Sequence, residues 1–385
     1  MNVHKPIGGK LITPTTAVLA VLVLIGFFFI GVRFVHGIGA VTNINPGYSW
    51  GIWVVIDIVV GTAFGCGGFA MAILVYIFNR GAYHPLMRPA LLAGLFGYGL
   101  AGMAVMIDLG RYWQFYNLLL PWYAQPNAVM YEVAMCVMAY VFVLFIEFSP
   151  AFLERFGLHR IRRHLLRVMF VFAALGVLLP TMHQSSLGSL LLLLGEHQLS
   201  PLWYTMWLPL LFLSTAIAMG YGAVMFEATV VSKTFHLHSE QPILAKLSKV
   251  VAGLLAAIVI FRVVDLALTG SLGLAFAGDL KGTMFLIENA LFLFAIFVLA
   301  TPGGRASQRL MFLAAVANLL GGALYRIDSY LIAYTPTQNW AYFPSVPELM
   351  ITIGMISLEI LLYLIFIKLL PVLSGAHTAH AAEAR

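Results

Sequence analysis

The stretch LPTMHQSSLGS, residues 179–189, closes an apolar run that begins near residue 165. That run is long enough to cross a bilayer, because a spanning helix needs about 20 mostly apolar residues. Its far end changes character: it holds His183 and Gln184, followed by Ser185 and Ser186. Polar side chains at this depth are costly and are usually kept for a task. Pro180 adds to the local polarity by freeing a backbone carbonyl in the turn before it. Composition decides how the run is read. The 385 residues are 62% hydrophobic and only 9% charged, with mean hydropathy +0.96. That balance belongs to an all-α polytopic membrane protein, not to a soluble domain.

Working outward from residue 165, ten stretches qualify as spans: 14–31, 51–78, 89–109, 128–148, 165–187, 202–230, 250–269, 283–300, 310–330 and 349–370. The run 190–194 is expected to be a short interfacial helix. Little sequence remains outside the spans, so no soluble catalytic domain is expected. The first span follows Lys5 and Lys10 and resembles a signal peptide. It is long and lacks a clean small-x-small cleavage site, so it is expected to be retained. The net charge of +6 does not indicate nucleic-acid binding; its Lys and Arg serve orientation. Alternating the spans assigns 16 of them to one side and 5 (Arg33, Arg111, Arg262, Lys281 and Arg326) to the other. Both termini are therefore expected in the cytoplasm of a bacterial inner membrane, with residues 374–385 as a flexible cytoplasmic tail. The outer connections PWYAQPN (121–127) and NWAYFPSVPE (339–348) are aromatic. They suit an interfacial belt and equally a docking surface for an outer partner. Glycines crowd the second and third spans, from Gly61 to Gly102, and close helix packing explains them.

Cys66 and Cys136 are too few for an iron–sulfur cluster and poorly placed for a disulfide. A bis-histidine haem needs two histidines inside the membrane. Only His183 lies well inside a span; the others fall in loops, tails or span ends, so no haem and no metal site are expected. Charged groups in the membrane are numerous. An outer-half set comprises Asp57, Asp108, Glu132, His183, Arg262, Asp265, Glu288 and Asp328. An inner-half set comprises Glu147 and Glu227, with Tyr98 and Glu359 nearer mid-depth. Asp108 with Arg111, and Arg262 with Asp265, are spaced to pair within one helix, which would leave them structural. Glu132, Glu227 and Glu288 have no opposite charge within a turn. Each must pair across helices, face water or be protonated. A carboxyl shielded from water suits proton relay near neutral pH, and that role is favoured for Glu132 and Glu227. A histidine among hydroxyls can hydrogen-bond a quinone carbonyl and pass it a proton.

These residues resemble the NrfD/polysulfide-reductase membrane-anchor family. The resemblance is carried by WGIWVVIDIVVGTAFGCGGFA (50–70), YHPLMRPALLAGLFGYGLAG (83–102), IDLGRYW (107–113), YEVAMCV (131–137), LPTMHQSSLGS (179–189), PLWY (201–204) and LAFAGD (274–279). It runs from about residue 8 to 370 and is nearest to the branch that forms the membrane subunit of Hyb-type periplasmic nickel–iron hydrogenases. The resemblance implies two four-helix bundles, residues 51–195 and 202–334, with one further helix at each end. It implies a haem-free subunit that binds quinone, either menaquinone or ubiquinone, as its substrate. A periplasmic ferredoxin-like iron–sulfur subunit would deliver the electrons, fed by the large and small hydrogenase subunits. Tyr98, Glu132, His183 and Glu227 match the family's functional positions. Asp57, Asp108, Arg111, His183 and Gln184 are the residues expected at the quinone. Hydrogenase chemistry itself is not expected on this chain. Two other classes stay open: a proton-coupled secondary transporter, which buried carboxylates in a ten-helix chain would suit, and a purely structural membrane anchor.

Overall fold

The computed structural model describes residues 6–237, 240–336 and 340–373. The expected tail, 374–385, lies outside the described residues, as do His4, Lys5, His238 and Asn339. Among the described residues, ten helices are long and apolar enough to cross a membrane: α1 (Pro14–His36), α2 (Val54–Ile77), α3 (Gly81–Asp108), α4 (Val129–Arg155), α5 (His159–Leu192), α6 (Leu208–Thr234), α7 (Gln241–Leu268), α8 (Leu280–Ala300), α9 (Gln308–Ile332) and α10 (Val346–Leu369). The protein is an all-α, multi-pass membrane protein. Phe28, Phe170, Leu268 and Phe297 point outward from α1, α5, α7 and α8 with most of their surface exposed. Lipid, not water, is the solvent that suits such faces.

Helix ends follow local chemistry. Thr13 and Ser345 each close a reciprocal capping box, with Thr16 and Glu348 as the third residues of α1 and α10. Asp279 and Ser307 cap α8 and α9 by accepting from Gly282 and Leu310 backbone N–H groups. One boundary departs from expectation. Residues 190–192 continue α5 without a break, and the chain turns only at Leu193–Gly195, so no separate interfacial helix forms. Pro180 sits inside that continuous helix, where the surrounding bundle tolerates it.

Helices α2, α3, α4 and α5 pack in sequence, and α2 also touches α5. Helices α6 to α9 pack each on the next, and α9 returns to α6. The two groups meet through α2, which lies against both α6 and α9 and is the most buried span. Helices α1 and α10 pair with each other and lean on α3. Small residues set these approaches. A Cβ on Gly94 would stand 2.7 Å from the Gly65 carbonyl oxygen, and one on Gly26 would stand 2.8 Å from Gly354 Cα. Backbones therefore touch at the α2–α3 and α1–α10 crossings.

The bundle has two chemically different ends. At the basic face Arg88 bonds Glu154 at 2.8 Å and the Pro371 carbonyl at 2.8 Å, and Arg155 donates to the Leu369 carbonyl. At the aromatic face Tyr48 stacks on Tyr342 and meets Tyr334 edge-on, and Asn43 donates to the Phe343 carbonyl. Three arginines toward this end are held inside the protein, Arg33 among them although expected just beyond the first span. Arg33 donates to the carbonyls of Ile107 and Leu109 at the end of α3. Arg262 pairs with Glu288 of α8 and not with Asp265, which corrects the expected local pair. Trp203 Nε1 also donates to Glu288, and Arg262 lies over the rings of Phe285 and Tyr325. Breaking such a buried pair from one side costs about 3–5 kcal/mol, so Glu288 has a structural job. The third, Arg326, is fully buried and donates to the carbonyls of Val59 (2.8 Å) and Phe212 (2.7 Å).

Candidate functional site: a buried polar cluster below an aromatic cavity

Helix α2 is not a regular α-helix where it passes His183. Residues Val54–Gly61 form π-helical turns, as do Ile73–Ile77 and, on α9, Asp328–Ile332. Widened turns of this kind re-aim side chains and release carbonyls, and they recur at functional sites. Here the released Val59 carbonyl accepts from Arg326. Immediately after the widened segment comes Thr62, whose hydroxyl donates to the Ile58 carbonyl.

With its proton so placed, the Thr62 oxygen acts as an acceptor. It receives Gln184 Nε2 at 3.0 Å and faces His183 Nε2 at 3.2 Å. This assigns the hydrogen of His183 to Nε2 and leaves Nδ1 as a bare acceptor. Gln184 also donates to the Tyr98 hydroxyl at 3.3 Å, and that hydroxyl meets Cys66 Sγ at 3.4 Å. The Tyr98 ring lies edge-on to Tyr140 and 5.7 Å from the His183 ring. His183 is 1% exposed, and Gln184, Tyr98 and Thr62 are fully buried. Arg326 is within electrostatic reach of His183, Tyr98 and Cys66. Three buried polar atoms in and beside this network have no partner among the described residues: His183 Nδ1, Gln184 Oε1 and the Tyr140 hydroxyl. A buried polar atom left unsatisfied costs about 1–3 kcal/mol, so three in one place indicate a site meant to meet something further.

The hydroxyls around His183 divide. Thr181, Ser185 and Ser189 bond back to carbonyls of their own helix, the ordinary fate of such residues. Ser186 points away and donates to Glu132 of α4 at 2.9 Å. The hydroxyl that His183 meets comes from α2, a different span.

Toward the aromatic face lies a cavity of about 410 Å³, within the usual size of small-molecule pockets. Its aromatic wall is Tyr48, Trp50, Tyr330 and Tyr334; its apolar wall includes Val55, Met130, Leu190 and Leu194. The Trp50 and Tyr330 rings are 5.6 Å apart, and the Tyr330 hydroxyl donates to the Leu187 carbonyl at 2.8 Å. Leu187 is one helical turn beyond His183, about 6 Å along α5. The cavity lies on the aromatic side of the polar cluster: Leu190, the first α5 residue to line it, is about two turns, roughly 10 Å, beyond His183, and no residue of the cluster lines it.

Of the residues singled out from sequence, Tyr98, His183 and Gln184 meet in one network, and Glu132 accepts from Ser186 of the same helix as His183 without bonding to that network. Asp57 is buried in the widened turns of α2 with Oδ2 unpartnered. Asp108 accepts from the Gly51 backbone and from Trp53 Nε1 at the aromatic face, apart from the cluster. Arg111 is exposed and is not among the ion pairs of the described residues, so the expected local pairing with Asp108 does not form. Glu227 lies toward the basic face and accepts from the Tyr363 hydroxyl. Sequence reasoning missed Thr62, Cys66, Tyr140, Arg326 and the whole aromatic wall. A single hydroxyl in an apolar run carries no signal. The widened turns that turn Thr62 toward His183 have no sequence signature either.

Ten spans around a buried hydrogen-bonded cluster, with an aromatic cavity above it, define a polytopic membrane protein with a small-molecule-sized intramembrane site. The chain belongs to the family described as Polysulphide reductase, NrfD, which matches residues 40–335. It is 42% identical to the probable Ni/Fe-hydrogenase 2 b-type cytochrome subunit of Escherichia coli, across 98% of each chain. It is 25% identical to the integral membrane subunit of menaquinone reductase from Nitratidesulfovibrio vulgaris, across 88% of this chain and 86% of that one.

The first relative's name raises b-type haem. The donor set does not fit it: a bis-histidine site needs facing imidazoles. Among the described residues only His183 lies within the core, and its Nε2 is engaged by Thr62. No group of three or more metal-ligating side chains occurs among the described residues.

Proposed function

We propose that this chain is the haem-free, quinone-reactive membrane subunit of a periplasm-facing nickel–iron hydrogenase complex. Its basic face lies in the cytoplasm and its aromatic face meets the partners, in keeping with the distribution of Lys and Arg. The carrying observation is the aromatic cavity about two helical turns, roughly 10 Å, from the His183–Thr62–Gln184–Tyr98 network on its aromatic side. A planar quinone head group suits the Trp50–Tyr330 wall, because aromatic faces favour offset stacking. Two long relatives support the reading by name: one is a probable Ni/Fe-hydrogenase 2 b-type cytochrome subunit, the other the integral membrane subunit of a menaquinone reductase.

Residues 51–195 and 202–334 act as two four-helix bundles, and the site belongs to the first, closed by Tyr330 and Arg326 from the second. A ferredoxin-like iron–sulfur subunit docks on the aromatic face and is fed by the hydrogenase subunits. It supplies two electrons to menaquinone or ubiquinone. Quinone, two electrons and two protons yield quinol; only the protons pass through this chain. His183 can take a proton at its free Nδ1 and give that same proton on, through bridging water, to a quinone oxygen, while its Nε2–H stays held by Thr62. Glu132 can supply a second through Ser186. Arg326 provides positive potential beside the cluster as negative charge builds on the head group.

The test uses the purified complex. His183→Ala is expected to slow hydrogen-driven quinone reduction by about a hundredfold. Hydrogen oxidation with a soluble dye should persist, because that chemistry lies upstream. Equal loss of both activities in an assembled complex would argue against the reading. Wild-type quinone reduction in the variant would remove His183 from the reaction.

A further inference from the structure

The network around His183 and the carboxyl of Glu227 make no direct contact, and the structure offers a specific residue for the gap. Glu359 sits midway along α10, a helix outside the two groups of four. Its Oε1 lies against α3, so close to Gly97 that a Cβ there would stand 3.3 Å away. Gly97 immediately precedes Tyr98, which places Glu359 at the depth of the polar cluster. Asp57 of α2 is within electrostatic reach of Glu359. It is more than nine-tenths buried and has Oδ2 unpartnered. One turn further along α10, toward the basic face, the Tyr363 hydroxyl donates to Glu227 of α6. Glu227 in turn lines a small cavity of about 30 Å³ at the basic face, with Ser232 and Glu240. That volume holds about one water molecule.

The order from the aromatic half of the membrane to the basic face is therefore Asp57, Glu359, Tyr363, Glu227 and the cavity. Glu288 shows what a purely structural carboxyl looks like in this protein: it is held by Arg262 and Trp203. Glu359 and Asp57 have no cationic partner among the described ion pairs. An intramembrane carboxyl without a counter-charge is costly unless it has a task.

We propose that Glu359 is a proton-relay residue, by which the accessory helix α10 connects Asp57 and the Tyr98 level of the first bundle to Glu227 and the basic face. The inference rests on the quinone-reactive reading above and adds a residue to it. Each step changes only O–H bonds. A carboxylic acid passes its proton to the Tyr363 oxygen or to a bridging water while that group gives its own hydrogen to the next carboxylate. The net transfer supplies protons consumed when the partner's electrons reduce quinone.

The experiment compares wild-type, Glu359→Gln and Glu359→Asp complexes, measuring hydrogen-driven quinone reduction, its solvent deuterium isotope effect, and reduction of a soluble dye. Glu359→Gln keeps the size of the side chain and breaks no ion pair. It is expected to lower kcat for quinone by about tenfold or more, with a raised isotope effect and with KM for quinone and dye reduction unchanged. Glu359→Asp should recover part of kcat. A wild-type kcat and isotope effect in Glu359→Gln would overturn the proposal. If Glu359→Gln does not assemble, Tyr363→Phe replaces it. That variant keeps the ring and loses only the hydroxyl, and a wild-type kcat there would also overturn the proposal. A wild-type complex that reduces the dye but no quinone would instead refute the underlying reading.

Discussion

At the scale of single residues, Thr62 organises the site. It is one hydroxyl in a strongly apolar span, yet it accepts from both His183 and Gln184 because its own proton goes to Ile58. Thr62→Val keeps the shape and removes the acceptor. Two buried donors would then lack a partner, at about 1–3 kcal/mol. The variant is expected to unfold at lower temperature in detergent and to lose quinone turnover while retaining dye reduction. Unchanged quinone turnover would show that the Thr62 contact is incidental. What was legible here was His183, Gln184 and Glu132, because polar groups stand out against apolar sequence. Their partners were not: Thr62 lies 121 positions from His183 and Arg262 lies 26 from Glu288. Local spacing pointed Arg262 at Asp265, and the cross-helix carboxyl won because it is the buried one.

At the scale of elements, all ten spans could be read from hydropathy, since apolar runs of about 20 residues have few other uses. Their irregularities could not. The π-helical turns of α2 and α9 depend on what neighbours offer the released carbonyls, as Arg326 does for Val59. The end of α5 was misjudged for a related reason: residues 190–192 are as apolar as a lipid-facing turn, yet Leu190 and Leu191 line the cavity and the helix runs on through them. Helix α10 depends on close contact with α1. Gly26→Leu would drive a side chain into the Gly354 backbone, an overpacking cost of about 1–3 kcal/mol. It is expected to loosen α10, lower thermal stability and, by displacing Glu359 and Tyr363, slow quinone turnover. Wild-type stability in this variant would contradict the closeness of the α1–α10 crossing.

At the scale of the whole molecule, function comes from layering. The aromatic face carries the cavity, the middle carries the hydrogen-bonded cluster, and the basic face carries Glu227 and its small cavity. The aromatic wall draws on residues 47–50 and 330–334, two segments nearly 300 positions apart, so no local pattern could announce it. The central claim is that quinone occupies this cavity. The most direct measurement is photolabelling of the purified complex with an azido-quinone, followed by mapping of the labelled peptides. Label is expected in residues 47–55, 190–194 and 330–334, and it should be displaced by excess unmodified quinone. Displaceable label confined to the basic face, around residues 224–237, with none on the aromatic wall, would contradict the claim.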